Sequence, residues 1–250
     1  DEAAVKKTHE TFPALKWYDH GFDKVLKEMK ETKVEGAKPA IWYVYNMGIV
    51  VKTKTCSFAI DLCHRKAAAM VPHIDFAICS HRHGDHYTEE FFRAMWKAQK
   101  PVMTNFILSK WYCKRDGEFN HKGLKIRATE ADHNPNLRWA ILCSEITCGE
   151  GEDTYTLFHS GDCNRADHLR PATKNPDIFF GHCAIGLNFK TAWNTTMPAK
   201  MMVPLHHQEL GHLAGRYRCV AFGDEPKWVL HEMKKLGVPS VMPVWGDRIV

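Results

Sequence analysis

The hydrophobic pattern changes character along the chain. Within a polar opening stretch, Phe22, Val25, Leu26 and Met29 recur at helical spacing, and Gly36 and Pro39 end the pattern. This predicts one amphipathic helix in an N-terminal extension, residues 1–38, covering the outside of a single domain that spans 1–250. From residue 40 the runs become short and β-rich, at 41–45, 49–54 and 57–62, with Asn46-Met47-Gly48 as a hairpin turn. An apolar strand at 74–80 follows. Thr88 and two glutamates then open a helix at 89–100, before a short strand at 101–104 and a helix at 106–112. The second half repeats the style, with strands at 124–130, 138–147, 154–160, 177–180 and 200–205 and helix-like residues 191–199. A helix at 225–236 is stopped by Gly237 and Pro239, and 240–244 reads as a last strand. Two strand-rich halves, each with helices, predict two sheets with helices outside them.

The 250 residues suit one large α/β domain, and 44% hydrophobic residues exclude a disordered chain. No apolar run reaches the roughly 18 residues of a membrane span. The formal charge is +5 and the lysines and arginines are scattered. Nucleic-acid binding wants a clustered basic track, so no nucleic-acid partner is expected. The expected partner is a small-molecule substrate, anionic in the minority reading, and a homo-oligomer stays open. Nine cysteines form no CxxC pair, and a domain of this size needs no disulfides. A reducing, cytoplasmic compartment is slightly favoured. Because residue 1 is Asp, a removed signal peptide and a cut tag both remain open.

The chemistry is concentrated in His81-Arg82-His83-Gly84-Asp85-His86, directly after the apolar strand 74–80. Alternation along an extended segment puts His81 and His83 on one face. Gly84 permits a tight turn, so that Asp85 and His86 point elsewhere, toward a second metal. One hexapeptide cannot complete two coordination shells, so further ligands are expected at later strand ends. His133, Asp162 and His206 each lie just past an apolar or β-branched run.

The order His-x-His-x-Asp-His, then His, Asp and His, resembles the metallo-β-lactamase superfamily across about residues 40–245. The resemblance implies an α/β fold, an αββα four-layer sandwich of two mixed β-sheets with helices on the outer faces. It implies a first metal on His81, His83 and His133, a second on Asp85, His86 and His206, and Asp162 bridging them. A hydroxide between the metals would attack an electrophilic carbonyl or phosphorus. Two divalent ions are implied, zinc first because the set is rich in imidazole, with manganese as the other choice. Diiron oxidoreductases of the superfamily usually have Glu where His83 stands. Asp61 resembles the usual acidic residue before the motif, and is expected to orient a metal-binding histidine.

True lactamases of the superfamily usually carry Cys or Ser where Asp162 stands. Glyoxalase-II-like members usually continue the motif with x-Gly-Gly, whereas this chain has Tyr87-Thr88-Glu89. His159-Ser160-Gly161-Asp162 and Pro204-Leu205-His206 resemble the branch of ascorbate-phosphate lactonase-like and N-acyl-phosphatidylethanolamine phospholipase-like proteins. That implies a phosphodiester or lactone substrate. On this alignment His206 is the ligand, and His207 lines the pocket or faces solvent. Asp85 and His182 are the candidate catalytic residues. His182 either protonates a leaving group or packs as a supporting histidine. Asp132 is a candidate to orient His133. Arg82 and Lys190 either meet an anionic substrate or sit on the surface, and Trp193 and Trp245 are pocket walls or core. A metal-binding sensor or scaffold without turnover, and a nuclease on the same site, are the alternative functions.

Overall fold

The computed structural model describes residues 2–134, 136–183, 187–207 and 225–250. Two sheets form the body. The first has five strands in the order β1 (Ala40–Tyr45), β2 (Gly48–Lys52), β3 (Ser57–Ile60), β4 (Phe76–Ile78) and β5 (Val102–Met103). The second has six: β6 (Gly117–His121), β7 (Leu124–Ala131), β8 (Ile141–Glu150), β9 (Asp153–His159), β10 (Ile178–His182) and β11 (Met201–Leu205), in spatial order β11-β10-β9-β8-β7-β6. Each sheet begins as an antiparallel meander and ends in parallel strands: β3, β4 and β5 in one, β9, β10 and β11 in the other.

Side-chain alternation shows why this sequence makes four layers. In β1, Ile41 and Tyr43 face the second sheet, while Ala40, Trp42 and Val44 face outward into a different apolar cluster. In β10, Ile178 and Phe180 face inward and Phe179 outward. Both faces of the strands are covered, so they read as continuous apolar runs. The first sheet's outer face is covered by α2 (Pro13–Glu31) and α3 (Glu89–Lys97), with α2 contributing the fully buried Phe22 and Val25, while α1 (Glu2–Thr11) packs on α2. Burying each such side chain is worth about 1.5–3 kcal/mol. The second sheet's outer face is covered by α4 (Glu225–Lys235), through Val229 and Met233. The fold is the expected αββα sandwich.

Thr88 caps α3 as expected, its hydroxyl accepting from the Phe91 N–H. Elsewhere the structure differs from the pattern. The N-terminal extension holds two helices, divided at Phe12 and Pro13. Residues 106–112 are bends, not a helix: Cys113 N–H bonds back to Thr104 O, and Phe106 packs on Tyr87 and Phe92. Residues 240–244 make only a single bridge, Ser240 to Met202, because Pro239 and Pro243 cannot donate to a ladder. Residues 191–199 give one helical turn at Phe189–Thr191 and a wider turn at Ala192–Thr196. Strand β6 escapes the alternation pattern; its Gly-Glu-Phe-Asn-His sequence is polar because it is an edge strand. The eight described cysteines are buried and form no disulfide among the described residues, and Cys219 lies outside them. Among the described residues no helix is long and apolar enough to cross a membrane.

Candidate metal centre

Strands β4, β7, β9 and β11 end on one edge, and the candidate ligands leave from those ends. His81, His83, Asp85 and His86 follow β4, His133 follows β7, Asp162 follows β9 and His206 follows β11. Two groups of ligand atoms result. His81, His83, His133 and Asp162 form one, and Asp85, His86, Asp162 and His206 the other; within each the atoms lie within 4.8 Å of one another. Asp162 is common to both. The fold therefore gathers all seven residues of the sequence pattern at one place, in two groups of three around a shared aspartate.

Asp162 is the hub. Its Oδ1 lies 3.2 Å from His86 Nε2, and its Oδ2 lies 3.5 Å from His206 Nε2, 3.6 Å from His133 Nε2 and 3.7 Å from His81 Nε2. These separations fit donors sharing a cation: zinc–nitrogen bonds of about 2.0–2.1 Å in a tetrahedral shell leave neighbouring ligand atoms roughly 3.3 Å apart. A second observation agrees. His81 Nε2, His86 Nε2 and Asp162 Oδ1 are buried and make no hydrogen bond. Such atoms, divided between the two groups and the aspartate they share, would cost about 1–3 kcal/mol each unless occupants of those groups satisfy them. The residues present therefore fit divalent cations.

The surrounding network fixes which nitrogens face the centre. Asp61, fully buried in a left-handed conformation at φ 48°, accepts from the Ser80 N–H at 2.6 Å and the Ser80 hydroxyl at 2.7 Å. It also accepts from His86 Nδ1 at 3.0 Å. Ser80 Oγ in turn lies 2.9 Å from His81 Nδ1. With the Nδ1 atoms of both histidines donating, both Nε2 lone pairs point at the centre. Asp61 thus orients His86 directly and His81 through Ser80.

The turn between β1 and β2 forms the floor. Asn46 (φ 55°) donates from Nδ2 to Asp85 Oδ2 at 2.7 Å, and its carbonyl accepts from the His206 N–H at 3.1 Å. His159 Nε2 donates to Met47 O at 2.9 Å, and its Nδ1 accepts from the Gly161 N–H at 3.1 Å, which sets the chain just before Asp162. Gly161 has φ +50°, and a Cβ there would lie 2.8 Å from Ser80 Cβ and Ile141 Cγ2. Only glycine fits. Asn46, Ser80 and His159 are the functional neighbours that sequence reasoning missed. The Asn-Met-Gly turn and the His-Ser-Gly-Asp run were the visible signals, legible only as a hairpin and a family mark.

Packing acids against imidazoles redistributes protons. Burial disfavours the charge of Asp162, but His86, His206 and His182 outweigh it and hold its carboxyl well below the usual range. Burial likewise opposes charge on His206, yet Asp162 and Asp85 raise its pKa to about 10. His86 is raised for the same reason by Asp162 and Asp61, against burial. His81 goes the other way, driven down by burial and by neighbouring His86.

The remaining candidates divide. His182 ends β10 beside the centre, with Nε2 3.9 Å from Asp162 Oδ1 and its ring 4.6 Å from that of His206; burial lowers its pKa to about 3. His207 does not face solvent: it is buried, donates from Nε2 to Pro243 O at 2.8 Å and stacks on Tyr43. Asp132 does not reach His133; its Oδ1 accepts from the Trp139 N–H at 2.9 Å, bracing the loop that carries His133. Arg82 and Lys190 are exposed. Trp193 packs on the outer cluster of the second sheet, and Trp245 packs between Tyr18 and Tyr45.

No protein-family model matches the chain, and no curated protein matches it in sequence. Solved structures do. A metallo hydrolase from the hyperthermophilic archaeon Ignicoccus hospitalis superposes with a TM-score of 0.61 at 14% identity, covering 84% of this chain and 97% of that one. The metallo-β-lactamase fold protein YhfI from Bacillus subtilis gives 0.60 at 14% identity, covering 86% and 95%. The diiron β-hydroxylase CmlA from Streptomyces venezuelae gives 0.57 at 11% identity, covering 84% of this chain and 53% of that one. The chain has the metallo-β-lactamase fold. Its histidine and aspartate clusters, at the strand ends of that fold, suit a divalent metal site.

Proposed function

We propose that this protein is a metal-dependent hydrolase with a dinuclear centre, which cleaves a phosphodiester or a lactone or ester bond in a small molecule. The observation that carries the reading is the pair of four-residue groups sharing Asp162, with His81 Nε2, His86 Nε2 and Asp162 Oδ1 buried and unpaired between them. His81, His83, His133 and Asp162 would hold one cation, and Asp85, His86, Asp162 and His206 the other. Zinc is the first choice for so imidazole-rich a set and manganese the second. Such cations, when bound, make water nucleophilic near neutral pH and stabilise the negative charge that develops on a carbonyl or phosphoryl oxygen.

The chain's own residues supply the rest. Asp61 and Ser80 lock the His86 and His81 tautomers. Asn46 restrains Asp85, the candidate catalytic carboxylate, which is 20% exposed against 4% for Asp162. His182 is held neutral by burial, so its role is to donate a hydrogen bond to the leaving-group oxygen rather than to carry a full charge.

The test couples metal quantification with a panel of phosphodiesters, sugar lactones and thioesters. A hydrolase releases product in proportion to bound metal, and His83→Ala loses at least one metal and most turnover. A protein that binds metal but turns over nothing in the panel is a sensor or scaffold. A variant that hydrolyses at the parental rate without metal refutes the proposal.

A further inference from the structure

We infer that the chain carries a second small-molecule site, at the sandwich edge where β5 and β6 part, and that it takes a compact apolar carboxylate. A cavity of about 630 Å³ opens there, within the range of ligand pockets. Its walls are Phe92 and Trp96 of α3 and Ile107, Leu108 and Trp111 of the 104–112 segment. Trp96 is 75% and Leu108 81% exposed, large apolar side chains held at the mouth rather than folded into the core.

Two polar atoms in this apolar lining have no partner among the described residues. Thr104, 1% exposed, ends β5 with its hydroxyl unsatisfied, and His121, at the end of β6, has Nε2 buried and unsatisfied. The His121 ring is fixed edge-on by Phe76 at 5.3 Å and Trp111 at 5.1 Å. A buried unpaired polar atom costs about 1–3 kcal/mol, and two of them lining one cavity are a pair of hydrogen-bonding groups that can each donate to an occupant. The charge pattern gives the occupant its sign. Lys100 and Lys110 line the cavity, and among the described residues no Asp or Glu does. Lys100 donates to the carbonyls of Val71 and Ile74, at 2.7 and 2.6 Å, and interacts with Asp75, which Lys122 also pairs, so Lys110 is the cation on which the test turns. An apolar body against the tryptophans, with one carboxylate toward Thr104, His121 and the lysines, satisfies every unmet group.

The cavity shares no residue with the metal centre, so its test uses the whole chain, metal-loaded, and a probe of the right chemistry. 1-Anilinonaphthalene-8-sulfonate has an aromatic body and one anionic group; N-phenyl-1-naphthylamine has the same body without charge. The expected result is saturable fluorescence enhancement at one site per chain, with the anionic probe at least fivefold tighter than the neutral one. Lys110→Glu should weaken the anionic probe about fivefold and leave the neutral probe unchanged. Thr104→Val should weaken it about tenfold while the unfolding midpoint stays level or rises, because the substitution removes an unsatisfied hydroxyl. A purely structural Thr104 would lower the midpoint instead. Leu108→Gln, at a position too exposed to threaten folding, removes apolar wall without changing charge and should weaken both probes. Absence of saturable binding, equal affinity for both probes, or unchanged affinity in all three variants overturns the proposal.

Discussion

Asp61 makes the sharpest test of the metal centre, because it touches no candidate ligand atom that faces the cations. Its carboxylate accepts three hydrogen bonds and donates none: from the Ser80 N–H, the Ser80 hydroxyl and His86 Nδ1. Asp61→Asn preserves shape and reverses one oxygen's hydrogen-bonding character. If the amide oxygen stays on the Ser80 N–H, the new NH2 faces His86 Nδ1, which must then accept. The His86 proton moves to Nε2, the atom that should ligate. If the amide turns round, its NH2 meets the Ser80 N–H at about the present 2.6 Å, donor against donor. Either way ligation through His86 is penalised. Groups that orient a ligating histidine are worth about 10–100-fold in metal affinity, or roughly 1.4–2.7 kcal/mol. The assay is competition for metal with a chelator of known affinity, beside denaturant unfolding of the metal-free protein. The expectation is a 10–100-fold loss at the second metal, a smaller loss at the first through Ser80 and His81, and a folded variant. If Asp61→Asn binds both metals within threefold of the parent, the tautomer argument is wrong. A loss of stability with unchanged affinity would make Asp61 a packing residue.

Three further outcomes are expected. Gly161→Ala must place a Cβ 2.8 Å from Ser80 and Ile141 in a left-handed backbone, so it should cost about 3 kcal/mol in chemical denaturation. His64 is sandwiched between Tyr18 and Phe22, and burial lowers its pKa to about 4. The unfolded chain takes up this proton near pH 6.5 while the native state refuses it, so stability is full above about 6.5 and falls as the pH drops toward 4, by roughly 3 kcal/mol in all. Urea midpoints of the chelated protein at pH 7 and 4.5 should show a fall to which the buried His81 and His182 also contribute, and His64→Gln should make it smaller. Adding metal at 100 times its dissociation constant should stabilise the native state by about 2.7 kcal/mol per site, and a chelator should reverse the gain; an unmoved thermal midpoint would contradict metal binding.

What could be read in advance was whatever physics makes local. The hexapeptide packs four candidate ligands into six positions after an apolar strand, so neither its chemistry nor its place at a strand end needed tertiary information. His133, Asp162 and His206 were legible only because each ends an apolar run, and strands β7, β9 and β11 end on one edge. What stayed hidden depends on contacts between distant segments. Asn46 reaches Asp85 and His206, and His159 reaches Met47, across separations that no window along the chain reveals. Asp132 looks like a partner for its neighbour His133 when adjacency is taken for contact, whereas its carboxylate turns to the Trp139 N–H. The 106–112 segment carries helix-like apolar spacing, but Phe106 and Trp111 are committed to different neighbours, Tyr87 and Phe92 for one, Phe76 and Phe119 for the other. Tertiary packing there overrides the local pattern.

The central claim is that two cations sit on either side of Asp162. Anomalous diffraction from crystals of the metal-loaded protein tests it most directly. The account predicts two peaks, one among His81, His83, His133 and Asp162 and one among Asp85, His86, Asp162 and His206. A metal-saturated crystal with no peak there, or with metal held by other side chains, would contradict it.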